Sequence, residues 1–188
     1  MQKDIERWNL KFSGREINES PRADALLVDN AWLPKSGTVL DIAAGSGQNA
    51  VYLATRGYQV TAVDGSSEGL SLARQLAARC GVNIITEQMD LDENHPAGSF
   101  DMVIVFHYLN RPLYRRLPDL LKPGGILIAK TFNLDFARQK PGFNPDYVLA
   151  DNELPALFSD LEILEHAESP EGSVGKSHIV ARKSTDLQ

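Results

Sequence analysis

Residues 39–54 read VLDIAAGSGQNAVYLA, and this stretch decides the fold. Its front half lies within Thr38 to Ala43 (TVLDIA), a short, branched, apolar run typical of a strand buried on both faces. Its back half, Asn49 to Thr55, has helical spacing and stops at Gly57. Gly45-Ser46-Gly47 makes the turn between them. Glycines in such a turn let a ligand approach the backbone closely, and the start of the following helix favours electron-rich groups.

Working outward, the same strand–helix alternation repeats. Gln59 to Asp64 (QVTAVD) reads as a second strand. Ser66 caps a helix with Leu72, Leu76 and Cys80 on its apolar face and Gly81 as its stop. Val82 to Glu87, Asp101 to His107 and Ile126 to Phe132 read as strands three to five. Near-continuous hydrophobic strands separated by helices predict a parallel sheet covered on both faces. Leu113, Leu117, Leu120 and Leu121 mark a crossover helix, which Pro118 must kink or restart.

The ends of the chain differ from its middle. Ser20-Pro21 predicts a helix running to about Leu33. Trp8 and Phe12 precede it in a short amphipathic helix or a lid. Asn133 to Tyr147 has two prolines and little periodicity, so it predicts a long loop of the kind that often carries function. A short helix near Asn152 to Phe158 follows. Leu161 to His166 and His178 to Arg182 then make a terminal strand pair, antiparallel because no helix joins them.

Composition narrows the class of function. The chain has 188 residues, 43% hydrophobic and 23% charged, which is the balance of one globular domain. It has one cysteine, Cys80, so no internal disulfide or cysteine zinc site is expected. His95, His166 and His178 show no ligand spacing, and no metal is expected. No apolar run reaches the roughly 18 residues of a membrane span, and the first residues are no signal peptide, so a cytoplasmic protein is expected. The net charge of −6 argues against a nucleic-acid partner held mainly through phosphates.

The turn points to a nucleoside cofactor. Asp64 ends the second strand, where a carboxylate can accept both hydroxyls of a ribose. Gly45-x-Gly47-x-x-Ala50 also fits a loose dinucleotide pattern, which is weak by itself. Three features turn away from a dinucleotide. Asp41 stands close enough to the loop to repel a pyrophosphate, yet it suits a cationic sulfonium and amino group. Asp90, after the third strand, is placed for an adenine amino group. Lys122-Pro123-Gly124-Gly125 runs straight into the fifth strand.

Taken together, these segments resemble the class I S-adenosylmethionine-dependent methyltransferases. Within them the chain resembles the small bacterial TehB-like, tellurite-resistance type. VLDIAAGSGQNAVYLA is similar to the first motif of the family, YQVTAVDGS to the second and MDLD to the third. FDMVIVFHYLNRPLY and LLKPGGILIAKTF are similar to the fourth and last. On those motifs the resemblance implies a Rossmann-like α/β sandwich. Its seven-stranded, mostly parallel sheet has order 3-2-1-4-5-7-6, with strand seven antiparallel and helices on both faces. It also implies a single domain over 1–188, with N-terminal helices or a lid at 1–33, a cofactor-binding core at 38–132 and a substrate loop and strand pair at 133–188.

The resemblance assigns roles residue by residue. Asp41, Ala43, Gly45 and Gly47 would surround the methionine part of S-adenosylmethionine. Asp64 would bind the ribose, with Gly65 and Ser66 beside it; Met89, Asp90 and Leu91 would hold the adenine; Phe106 would lie under the sulfonium. The residues themselves place the acceptor after the fourth strand. His107 is a candidate general base for a thiol or hydroxyl, or else a packed histidine. Tyr108 and Arg111 are candidate substrate contacts, although Arg111 could instead pair with Asp119 or cap a helix. Lys130, Thr131, Asn144 and Tyr147 lie toward the same edge.

The expected function is methyl transfer to a small acceptor by in-line displacement, releasing S-adenosylhomocysteine. The acceptor group is a thiol or another chalcogen on resemblance alone, and the protein is a monomer or a homodimer. Strand four does not end in an Asn/Asp-Pro-Pro-Tyr signature, which lowers the case for base methylation. Three alternatives stay open: a methyltransferase on protein or RNA, a non-catalytic cofactor-binding module, and an NAD-dependent oxidoreductase.

Overall fold

A computed structural model describes residues 2–17, 20–28, 30–171 and 174–185. Among them the strands are β1 Thr38–Ile42, β2 Gln59–Asp64, β3 Ile85–Gln88, β4 Phe100–Phe106, β5 Leu121–Phe132, β6 Glu162–Glu168 and β7 Lys176–Arg182. The helices are α1 Gln2–Phe12, α2 Gln48–Thr55, α3 Ser67–Arg79, α4 Arg111–Tyr114, α5 Leu134–Gln139 and α6 Glu153–Leu157. The strand order is β3-β2-β1-β4-β5-β7-β6, as the resemblance implied. The chain packs as two compact units, Met1–Gly98 and Ser99–Gln188.

In the first unit β1 pairs parallel with β2, and β2 with β3. Val39, Leu40 and Ile42 are buried because β1 is covered on both faces. Helix α3 begins where Ser66 Oγ accepts the Gly69 N–H at 3.0 Å. Its apolar side puts Leu76 and Ala77 against Val51 of α2.

The helix expected from Ser20-Pro21 to about Leu33 does not form; position 29 lies outside the described residues. Among the described ones, Ala25–Leu27 makes a single helical turn and Asn30–Leu33 a hydrogen-bonded turn. The segment's amides are claimed elsewhere. Arg22 N–H donates to Gln48 Oε1 at 2.8 Å and Asp24 N–H to Asn49 Oδ1 at 2.9 Å. An extended strap bonded to the start of α2 replaces a helix bonded to itself.

In the second unit β4 and β5 run parallel, while β5–β7 and β6–β7 are antiparallel. Pro118 ends the crossover helix after one turn and opens a short tight turn, Leu117–Leu120. The expected loop at 133–147 contains α5. Asn133 nucleates it, since its Oδ1 accepts from the Asp135 and Phe136 amides.

Candidate functional site

The ends of β1, β2 and β3 bring together the residues expected around the cofactor in the first unit. Asp64 organises them. Its Oδ2 accepts the Gly45 N–H at 2.7 Å and its Oδ1 accepts the Ser66 N–H at 2.7 Å. One carboxylate therefore pins the glycine turn to the start of α3. Each carboxylate oxygen keeps a second lone pair, so two ribose hydroxyls can still be accepted. Burial raises the Asp64 pKa, and the two amide bonds oppose that rise.

Asp41 is fully enclosed, at 2% exposure. The Ala50 N–H donates to it, yet its Oδ2 has no hydrogen-bond partner. Burial, reinforced by the neighbouring Asp64 charge, pushes its pKa up to about 8. A buried acceptor without a donor is costly unless a ligand completes it.

The turn itself is left-handed at Ala43, Gly45 and Gly47, with φ of 57°, 54° and 72°. Gly47 is the N-cap of α2 and supplies no side-chain cap. Its position is also sterically fixed, because a Cβ there would lie 2.5 Å from Ala73 Cβ.

The third strand end closes the adenine side. Met89 N–H donates to the Asp64 carbonyl at 3.0 Å, and Gln88 Nε2 donates to the Gly65 carbonyl at 3.2 Å. Asp90 opens a turn in which its Oδ1 accepts the Asp92 N–H at 3.0 Å, and Leu91 is buried.

Helix α1 lies over these glycines. Cβ atoms added at Gly45 and Gly69 would each meet the Phe12 ring at 3.1 Å, and one at Gly65 would meet Ile5 at 3.0 Å. Trp8 stacks on Phe12 at 5.7 Å. Asn9 Oδ1 accepts from Ser66 Oγ at 2.7 Å and from the Glu68 N–H at 3.3 Å. The sequence signalled Trp8 and Phe12 through their helical spacing. It gave no signal for Asn9 or Ile5, whose partners lie far along the chain.

The second unit carries the expected acceptor residues at the ends of β4 and β5. Phe106 is buried. His107 is exposed and left-handed, with φ 59°, and its N–H donates to the Lys130 carbonyl at 2.7 Å. A non-glycine residue held at that φ costs about 1–2 kcal/mol, and such strain clusters at functional sites. The Tyr108 carbonyl accepts the Tyr114 hydroxyl at 2.7 Å, which fixes the backbone after β4. Lys130 and Thr131 are buried at the end of β5. Asn144 is exposed and caps the turn Pro145–Tyr147.

Arg111 serves as a staple. Its guanidinium grips Glu153 through Nε at 2.5 Å and NH2 at 3.0 Å. It also donates to the Asp146 and Val148 carbonyls at 2.8 and 2.9 Å. Its partner is thus Glu153 and not Asp119, and these bonds leave it little donor capacity for an anionic acceptor. The pair raises the Arg111 pKa, and Arg111 holds Glu153 below the usual carboxylate range against the effect of burial. Arg111→Ala is expected to cost about 1–3 kcal/mol of stability in thermal denaturation, since one charge loses its mate and two carbonyls lose donors.

Comparison with known proteins bears on this arrangement. Residues 39–125 match the family model described as a methyltransferase domain. The chain is 29% identical over 154 residues to the "Probable S-adenosyl-L-methionine-dependent methyltransferase TehB" of Haemophilus influenzae, across 76% of this chain and 52% of that protein. The crystal structure of TehB from Haemophilus influenzae superposes with a TM-score of 0.72 at 22% identity, covering 86% of this chain and 62% of that one. Residues 39–125 thus carry a methyltransferase domain, and the chain is similar to the TehB-type S-adenosylmethionine-dependent methyltransferases.

This likeness points to S-adenosylmethionine as the cofactor, and the geometry fits it. Asp64 at the end of β2 supplies the carboxylate for a ribose, and the left-handed Gly45 turn follows β1. The unpartnered Asp41 oxygen suits a cationic, donor-bearing ligand. The chain spans about half the length of the curated relatives it matches. Among the described residues no helix is long and apolar enough to cross a membrane.

Asp41 predicts a pH dependence. Its folded pKa of about 8 lies above the unfolded carboxylate value. Its contribution to stability is therefore full below about pH 4 and is lost as pH rises through about 8. A cationic ligand beside it favours the ionised form and releases the proton. S-adenosylmethionine affinity is expected to rise with pH up to about 8 and then level off. Asp41→Asn is expected to flatten that profile and to raise the melting temperature of the free protein at pH 8, both read by calorimetry.

Proposed function

We propose that the chain transfers a methyl group from S-adenosylmethionine to a small-molecule acceptor. The observation carrying this reading is the Asp64 carboxylate tying Gly45 and Ser66 together beside the buried, unpartnered Asp41. When bound, the cofactor supplies a methyl group already activated on a sulfonium. The remaining work falls to the protein, which aligns the reactants and excludes water. Asp64, Gly65 and Ser66 hold the ribose side; Met89, Asp90 and Leu91 hold the adenine. Asp41 offers its oxygen to the cationic methionine end. Phe106 takes its place under the sulfonium by resemblance. Phe12 and Ile5 on α1 lie over the glycine positions of the site and keep water from that side.

On the acceptor side His107 is the base. Its exposed imidazole takes the proton of a hydroxyl or amine, whereas a thiol or heavier chalcogen needs little help. The TehB likeness favours a thiol or chalcogen acceptor atom. The Tyr114 hydroxyl, donating to the Tyr108 carbonyl, orders the backbone that follows His107. His107→Gly is expected to relieve the backbone strain, raising stability by about 1 kcal/mol. It is also expected to lower the rate on hydroxyl acceptors and leave S-adenosylhomocysteine affinity unchanged.

The test is transfer of label from methyl-labelled S-adenosylmethionine to a panel of thiol, chalcogen, hydroxyl and amine acceptors. Label on one of them supports the reading. Cofactor binding with no transfer to any acceptor favours a module that binds without methylating. One structural likeness gives that second reading substance. The cyclase SpnF superposes with a TM-score of 0.72 at 17% identity over 98% of this chain and 94% of its own, so the fold alone does not fix methyl transfer.

A further inference from the structure

We propose that the acceptor has a flat aromatic body carrying an anionic group, and that Phe132, Phe136 and Phe143 select it. This rests on the methyl-transfer reading and names the substrate class for the same reaction.

Three phenylalanines converge at the carboxyl end of β5. The Phe132 and Phe136 centroids are 4.2 Å apart, Phe132 and Phe143 5.4 Å, and Phe136 and Phe143 5.0 Å. The imidazole of His107 stacks on Phe132 at 5.6 Å with an interplanar angle of 29°. The candidate base and the ring cluster thus form one continuous wall. All three phenylalanines stay half-buried, and His107 is exposed. The three rings are not fully covered, so part of their apolar surface is open to stack a flat ligand.

The wall is held rigidly. Asn133 caps α5, and its Nδ2 donates to Ser169 Oγ at 3.0 Å and Ser177 Oγ at 3.1 Å. Ser169 Oγ in turn donates to Asp135 Oδ2 at 2.5 Å and accepts the Gly175 N–H at 3.2 Å. A Cβ at Gly175 would lie 3.0 Å from Phe136 Cβ, so the absence of a side chain there lets Phe136 sit where it does. A preformed apolar surface loses little entropy on binding a flat ligand.

Charge decides what the flat body carries. Lys140 Nζ stands 5.1 Å from the Phe136 centroid and Lys176 Nζ 6.0 Å from that of Phe132. The two ammonium groups stand over the rings, where they repel a cationic ligand and favour a carboxylate. A small inorganic oxyanion would use the lysines but would leave the three rings with nothing to cover.

The experiment uses the full chain saturated with S-adenosylhomocysteine. Salicylate and thiosalicylate are titrated calorimetrically against the saturated analogue hydroxycyclohexanecarboxylate and against selenite. The arenes are expected to bind about tenfold tighter than the saturated ring. Phe136→Leu, which keeps an apolar side chain, is expected to remove that preference without changing S-adenosylhomocysteine affinity. Lys140→Gln is expected to weaken salicylate more than phenol. Equal affinity for flat and saturated rings, an arene preference that survives Phe136→Leu, or binding of selenite alone overturns the proposal. Failure of S-adenosylhomocysteine to bind overturns instead the reading beneath it, and shows in the first titration before any acceptor is added.

Discussion

Asp64→Ala is expected to weaken S-adenosylhomocysteine binding by at least about a hundredfold. Two terms act together. A carboxylate accepting two ribose hydroxyls contributes about 1.5–3 kcal/mol per charged hydrogen bond. The same oxygens hold Gly45 N–H and Ser66 N–H, so their removal frees the glycine turn and the start of α3 at once. Asp64→Asn separates the two contributions, because its amide oxygen keeps one acceptor and loses the charge; an intermediate affinity is expected. Asp90→Ala should cost less, since it removes one contact to the adenine and, within the protein, only the bond to the Asp92 N–H. Calorimetric titration of the three variants, with thermal melts to show that each is folded, gives the order. Equal affinities for Asp64→Ala and the native chain would remove the ribose role.

Gly47→Ala is expected to carry the largest stability loss, about 2–5 kcal/mol. The left-handed backbone at φ 72° charges any side chain about 1–2 kcal/mol. Overpacking adds about 1–3 kcal/mol, because the new methyl would lie 2.5 Å from Ala73 Cβ and 3.0 Å from its Cα. Ala73 is fully buried on α3, so the helix itself must move, and Ser66 and the turn move with it. Gly57→Ala is the matching control. Gly57 also has a positive φ, 92°, but nothing lies within 4 Å of its added Cβ, so it reports the backbone strain alone. Urea denaturation of both variants measures the difference. A Gly47→Ala loss no larger than that of Gly57→Ala would mean that α2 and α3 do not meet as described.

Much of the first unit is legible in the sequence because its signals are local. A branched apolar run, a glycine turn and a carboxylate at the next strand end follow one another within a short stretch. The candidate cofactor residues Gly45, Gly47 and Asp64 are legible in that stretch. What escapes reading depends on partners distant in sequence. Ser20-Pro21 is a sound start signal for a helix, yet Gln48 and Asn49 take the amides that such a helix would have used. Arg111 looked like a cation waiting for an anion; Glu153 and two carbonyls hold it. Asn133 was readable as a cap for α5, but prolines and weak periodicity in the stretch that follows masked it. The aromatic wall left no periodic trace, because Phe132, Phe136 and Phe143 come from a strand, a helix and a turn.

The most direct test of the central claim is a calorimetric titration of the native chain, freed of carried-over ligand, with S-adenosylhomocysteine and, separately, with NADH. Micromolar binding of S-adenosylhomocysteine, with no comparable heat from NADH, is the expected result. Preference for NADH, or no binding of S-adenosylhomocysteine by a chain shown to be folded, would contradict it.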